Sequence, residues 1–159
     1  TGRTLDRKDG PFFASDPYFV LAASSDGTNW VDVYKSEYIR QNLNPKWRPA
    51  AVPMRRLKGK QLRLEVTDWD SDGSTDLIGY ATITLNDLMS LRKGIELIHP
   101  PTKDKYKKAS YKNSGYVDVQ DARVDKVFTM IDYLRGGLQI NMMVAVDFTG
   151  SNGDPRRIS

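Results

Sequence analysis

"QLRLEVTDWDSDGSTDLIGYATITL", residues 61–85, carries two kinds of pattern. At its start Leu62, Leu64 and Val66 alternate with Arg63, Glu65 and Thr67. At its end Ala81, Ile83 and Leu85 alternate with Thr82 and Thr84. A period of two sends successive side chains to opposite faces, so both ends read as half-buried β-strands. Between them Asp68, Asp70, Asp72 and Asp76 place four carboxylates within ten residues, with no Lys or Arg among them. Like charges this close repel. Two things hold such a loop together: a bound cation, or the solvation of a flexible turn.

Outward from this stretch the chain reads as more short strands. "PYFVLAAS" (17–24) is a near-continuous apolar run, a buried strand. After the turn "SDGTN" comes "WVDVYKS" (30–36), and after "NLNP" comes "WRPAAVPM" (47–54). "NDLMSL" (86–91) reads as one short helix capped by Asn86, "HPPTKDKYKKASYKNSG" (99–115) as a basic loop, and "YVDVQDARV" (116–124) as another strand. Short strands at this spacing point to an antiparallel β-sandwich. From Phe128 the texture changes: an apolar run, 140–148, is followed by a polar Gly/Asn/Asp tail, like the first strand of a further domain.

Length and composition narrow the function classes. The 159 residues suit one domain with an appendage. Cysteine is absent, which rules out a disulfide framework, a thiol nucleophile and a zinc–thiolate site, and suits a reducing compartment. No apolar run reaches the roughly 20 residues of a membrane-spanning helix. The net charge is +4 despite the aspartate cluster. A basic body with one acidic spot suits a polyanionic partner, nucleic acid or anionic lipid, as well as an ordinary solvated surface.

Loops at one end of a sandwich converge from distant parts of a sequence. "LDRKDGPFFASDPYF" (5–19) puts Asp9 and Asp16 just before a strand, and the 67–76 loop lies between two others. Together they gather Asp9, Asp16, Asp68, Asp70 and Asp76. Carboxylate oxygens without His or Cys are ligands for hard cations, Ca²⁺ or Mg²⁺, and several of them on flexible loops favour Ca²⁺. An EF-hand is a poor alternative. Asp68-x-Asp70-x-Asp72-Gly73 fits its opening, but the twelfth position is Gly79 instead of Glu, and a strand precedes the loop where a helix is required. A phosphoryl-transfer enzyme lacks its alternating helices and phosphate-binding partners, and His99, the sole histidine, sits in a Pro-rich loop without a partner. The chain is therefore expected to be no enzyme.

"SDPYFVL" (15–21), "NLNPKW" (42–47) and "TDWDSDGSTDLIGYATITL" (67–85) resemble the C2 domain, a calcium-dependent lipid-binding β-sandwich. The resemblance implies Asp16 as the second ligand and Asp68, Asp70 and Asp76 as the D-x-D-x5-D set. The family's first aspartate stands six residues before the second. Here that position is Gly10, so Asp9, one residue further back, takes the role, with Asp6 the weaker alternative. Asp72 has no counterpart and adds negative potential only. "LDRKD" (5–9), "YKNSG" (111–115) and "FTMIDYLRGGLQINMMVAVDFTGSNGDP" (128–155) resemble copines, which carry two C2 domains before a von Willebrand A-like domain. This implies an eight-stranded-type antiparallel sandwich at residues 1–127, a second C2 domain whose first strand is missing. Residues 128–159 become a linker and the truncated start of the A-like domain, where Asp147, Thr149 and Ser151 match the opening D-x-[ST]-x-S of a metal site. Residues 138–148 are expected to add an extra strand to the vacated sheet edge, within the chain or by exchange with a second copy, turning at Gly136-Gly137.

The implied function is calcium-dependent binding to anionic phospholipid, with the protein cytoplasmic until calcium recruits it to the plasma membrane or another anionic membrane. Nucleic acid is not an implied partner; protein partners through the A-like domain are. Phe12 and Phe13, inside the first acidic loop, are candidates for insertion into lipid, each contributing roughly 1.5–3 kcal/mol if fully buried. Trp69, between two ligands, points away from them if the pleat persists and is expected to pack structurally. The alternative function is a protein-interaction or scaffold module with weak or no calcium dependence.

Overall fold

The computed structural model describes residues 1–8, 14–105, 111–145 and 153. The chain divides into two compact units, Thr1–Val124 and Asp125–Ser159. In the first unit the described residues form seven strands: β1 (Gly2–Arg3), β2 (Pro17–Ser24), β3 (Val31–Lys35), β4 (Gln61–Trp69), β5 (Thr75–Ile83), β6 (Ile95–Glu96) and β7 (Tyr116–Val117). They make two antiparallel sheets, ordered β3-β2-β4-β5 and β1-β7-β6. Leu21, Leu62, Leu64, Val66 and Ile83 from the larger sheet meet Leu5, Ile95, Leu97 and Val117 in one buried core. The alternation in 61–85 is the cause: its apolar phase faces the other sheet, while Arg63 and Glu65 on the opposite face pair with each other at 3.4 Å. The sheets are linked where the Tyr80 and Ile98 backbones exchange two hydrogen bonds of 2.9 Å. Gly79 permits that approach, because a Cβ there would stand 3.1 Å from the Ile98 carbonyl.

Several local expectations are corrected. Residues 47–54 form no strand. Pro49 and Pro53 remove ladder donors, and Trp47 packs on Phe19 at 5.1 Å between ring centroids, giving its Nε1–H to the Pro17 carbonyl at 3.0 Å. The short helix α1 (Leu85–Met89) is capped by Thr84, whose side chain forms a capping box with Asp87, and not by Asn86. The expected loop at 99–115 opens with a helix, α2 (Pro100–Lys105). Proline suits a first helical turn, and the His99 ring accepts the Thr102 N–H at 3.3 Å, filling a role that sequence reading assigns to Ser, Thr, Asn or Asp. The strand expected over 116–124 is confined to β7.

In the second unit α3 (Met130–Arg135) starts at another capping box, Thr129 with Asp132. It ends in a turn at Gly136-Gly137, where Gly137 has φ +96°. The expected extra strand does not form in the described residues 138–145, and Met142 and Met143 are 85% and 98% exposed. Within the first unit, Gly2–Arg3 pairs with β7, with Gly2 opposite Val117. Asp147, Thr149 and Ser151 lie outside the described residues.

Candidate cation site

Strand register gathers the acidic residues. Asp68 is the Cα partner of Pro17 on one side and of Asp76 on the other. Asp16, which immediately precedes Pro17, therefore stands at the same sheet end as Asp68 and Asp76, and Asp70 and Asp72 lie in the loop joining β4 to β5. The β-period explains the burial of Asp68. Continuing the core-facing series Leu62, Leu64, Val66 by two residues lands on Asp68, which has 0% exposure. The extra residue of a bulge between Val66 and Thr67 falls on β5, so Asp68 keeps its phase.

Asp68 is the electrostatic centre of the site. Its Oδ1 accepts the Asp16 N–H at 2.5 Å, and Oδ2 is buried without a hydrogen-bond partner. Burial pushes its carboxyl above the ordinary carboxylate range; the nearby Ser15 hydroxyl and the Asp16 N–H oppose the shift, while the charges of Asp70 and Asp16 add to it. An unpartnered carboxylate oxygen facing like charges is costly, and a hard cation is the group that satisfies it. The donor set fits calcium in this respect.

Asp16, Asp70 and Asp72 have protein partners. Asp16 Oδ1 accepts the Gln41 N–H at 2.7 Å, presented by a backbone with φ +46°. Asp70 Oδ2 lies 3.1 Å from the Ser74 hydroxyl, whose one proton it shares with Asp72. Asp72 Oδ1 takes the Ser74 N–H and hydroxyl at 2.9 and 2.7 Å, and these bonds hold its carboxyl below the usual range. Asp76 is exposed. Among the described residues no three His, Cys, Asp or Glu side chains are arranged to hold a metal ion. The fold thus brings Asp16, Asp68, Asp70 and Asp76 to one end without closing them into a cage. Asp9, Phe12 and Phe13 lie outside the described residues.

Trp69 stacks on Tyr38 with ring centroids 4.4 Å apart and an interplanar angle of 6°, the structural packing expected of it. The contributions of Ser15, Ser74, Gln41 and Tyr38 escaped sequence reasoning. Ser15 and Ser74 sit beside the acidic motifs, and that adjacency is the sole sequence signal; Gln41 acts through its backbone, which no side-chain pattern reports.

A profile of the C2 domain family matches residues 1–99. Among solved structures, BON1-C2B superposes with a TM-score of 0.56 at 24% identity, covering 74% of this chain and 85% of that one, a likeness of fold. The C2 domain lettered A of plant extended synaptotagmin 1 gives a TM-score of 0.49 at 20% identity, covering 74% and 82%. Two antiparallel sheets, acidic loops at one end and a profile spanning more than half the sequence lead to the same assignment: the chain belongs to the C2 domain family.

Proposed function

We propose that this C2 domain is a calcium-dependent module that binds anionic phospholipid, with Asp9, Asp16, Asp68, Asp70 and Asp76 as the calcium ligands. The observation that carries the reading is the buried, unpartnered Oδ2 of Asp68 beside other carboxylates of the same sheet end. Calcium, when bound, supplies positive charge and open coordination positions for lipid phosphate or carboxylate oxygens. The chain's own residues do the rest. The metal-free carboxylates repel an anionic surface. The Gln41 N–H holds Asp16 in place, and the Asp16 N–H holds Asp68. Phe12 and Phe13 stand between the ligands of the first loop in sequence, where they add apolar burial in the lipid interface.

Within this reading the chain is copine-like: residues 1–127 are a second C2 domain, and 128–159 are a linker and the start of a von Willebrand A-like domain offering protein contacts. Recruitment runs from cytoplasm to the plasma membrane or another anionic membrane as calcium rises, in signalling or membrane trafficking. In keeping with a peripheral role, no described helix is long and apolar enough to cross a membrane. A second reading, a protein-interaction module with weak calcium dependence, is favoured by one observation: Asp70 is engaged by Ser74.

Cosedimentation separates the two. The protein is expected to pellet with vesicles of phosphatidylcholine and phosphatidylserine in calcium, and to stay in the supernatant with chelator or with phosphatidylcholine alone. Equal pelleting in calcium and chelator sinks the calcium-dependent reading.

A further inference from the structure

We propose that the cleft between the facing edges of β5 and β6 docks an extended peptide segment of a partner protein, one whose acidic residue meets Arg92; the inference stands apart from the calcium reading. The two edges meet once and then part. Tyr80 and Ile98 exchange two backbone hydrogen bonds of 2.9 Å, and the bridge is antiparallel. In an antiparallel strand the N–H and C=O of one residue face the same side, and that side is served again two residues on. The next rung would therefore join Thr82 to Glu96. Among the described residues no backbone hydrogen bond joins them. Thr82 stands opposite Arg63 and shares the phase of Tyr80, so its backbone groups point away from β4. Leu97 bonds with Gly115 and Ser114, just before β7, so the groups of Glu96 point away from β7. These open donors and acceptors border one cavity of about 440 Å³, whose lining includes Tyr80, Thr82, Arg92, Gly94, Glu96 and Ile98.

An extended chain is the ligand that fits an open strand edge. It offers donors and acceptors at the strand spacing and sends alternate side chains to either face. Sheet edges that avoid such pairing carry Lys, Pro or an inward charge. The stretch Tyr80-Ala81-Thr82-Ile83 carries none of these. Charge sets the polarity of the segment. At the Gly94 end Arg92 lines the cavity, Lys93 is exposed, and Arg3 Nη2 stands 4.0 Å from where a Gly94 Cβ would sit. Asp87 and Asp118 pair with Arg92 and Arg3 at 2.8 and 3.3 Å, which leaves this end with an excess positive charge. The guanidinium of Arg92 is 50% exposed and has donors to spare for a second carboxylate. Glu96 sits further along the wall, so the acidic residue of the segment belongs at the Arg92 end. Thr82 lies six residues beyond Asp76 on β5, roughly 20 Å at the strand rise, so the acidic loops stay clear of a docked segment.

The test selects random linear peptides, displayed on phage, against the whole chain, and then titrates the enriched peptides by calorimetry. They are expected to be strand formers carrying Asp or Glu and to bind equally in calcium and in chelator. Thr82→Pro removes an edge donor that the β4 ladder does not use, and is expected to raise their Kd by about tenfold, equivalent to ~1.4 kcal/mol. Arg92→Glu leaves the edge backbone intact and is expected to weaken binding by about as much, so the result stays readable even if the proline variant does not fold. Lys58→Glu makes a like charge reversal at an exposed position outside the cleft and should leave Kd within about twofold of the parent. Failure to enrich any peptide overturns the inference. So does a parent-like Kd in Arg92→Glu or in a folded Thr82→Pro, or an equal loss in Lys58→Glu. A chain that dimerises with concentration, and no longer does so as Thr82→Pro, assigns the cleft to a second copy and overturns the inference as well.

Discussion

The two ends of the four-stranded sheet carry acidic loops of opposite character. At the β2–β3 turn, Asp26 is surrounded by donors: Oδ1 accepts from Ser24, Thr28 and Asn29, each at 2.8 Å, and Oδ2 accepts from the Asn29 amide at 2.7 Å. These bonds hold its carboxyl far below the ordinary range. At the other end Asp68 has an unpartnered buried oxygen and a carboxyl pushed up by burial. An aspartate with its lone pairs filled by its own turn stabilises the fold and has no need of a ligand. An aspartate left short inside the protein is costly to the fold, and on the proposed reading a cation would offset that cost. Acidic residues alone do not distinguish these cases; the count of donors around each does.

The largest expected effect breaks the cation end. Asp70→Asn with Asp76→Asn removes two anionic ligands and should abolish the rise in thermal midpoint that calcium produces. Unchanged calcium binding by calorimetry in that variant would overturn the ligand assignment. Asp68→Asn sharpens the contrast, since it should eliminate the same rise and also lift the metal-free midpoint by removing an ionised, under-satisfied carboxylate. A metal-free midpoint below that of the parent would show that Asp68 is sufficiently stabilised as a charge.

Next comes the lipid contact at that end. Phe12→Ala with Phe13→Ala should weaken calcium-dependent vesicle binding by roughly tenfold or more, given about 1.5–3 kcal/mol per ring fully buried, while calcium affinity stays near the parent value. Equal cosedimentation of variant and parent excludes insertion of these rings. At the opposite end, Asp26→Ala should lower the thermal midpoint and leave calcium titrations unaltered. A change in calcium affinity there would mean that the two ends are coupled.

The smallest expected effect is on acid stability. The Gly94 N–H, at 2.6 Å, and then Arg3 hold the Asp118 carboxyl below its ordinary 3.8, and the Thr84 backbone N–H does the same for Asp87. A depressed folded-state pKa adds stability that is present above pH 3.8 and lost as the pH falls through the lowered value. Asp118→Asn should therefore flatten the acid limb of midpoint against pH in chelator. Solvent screening keeps the change modest, because Arg3 is half exposed. An acid limb identical to the parent's would show that these bonds carry no net stability.

Strands were most legible where one physical cause dominated. The reading of 17–24 coincides with β2, because a continuous apolar run there is buried in the middle of a sheet. Residues 61–66 alternate as read because one face meets the core and the other meets solvent. Reading failed where local chemistry had competing uses. Pro49 and Pro53 turned an apolar segment into an irregular one, and Pro100-Pro101, read as a loop, start a helix once the His99 ring caps it. Of the candidate ligands, Asp16, Asp68, Asp70 and Asp76 were legible as a D-x-D-x5-D loop and a second acidic loop, and the fold brings these four to one sheet end.

The sequence by itself determined the two-sheet β architecture, the acidic composition of the loops and the strand phase that places Asp68 beneath the surface, because each follows from residue type at a short period. Tertiary structure alone decided which carboxylates are satisfied. That outcome depends on backbone donors such as the N–H of Gln41 and on contacts between residues far apart in the chain, such as Asp16 with Asp68. A backbone N–H is present at every non-proline position, so its direction is set by the fold and leaves no mark in the sequence.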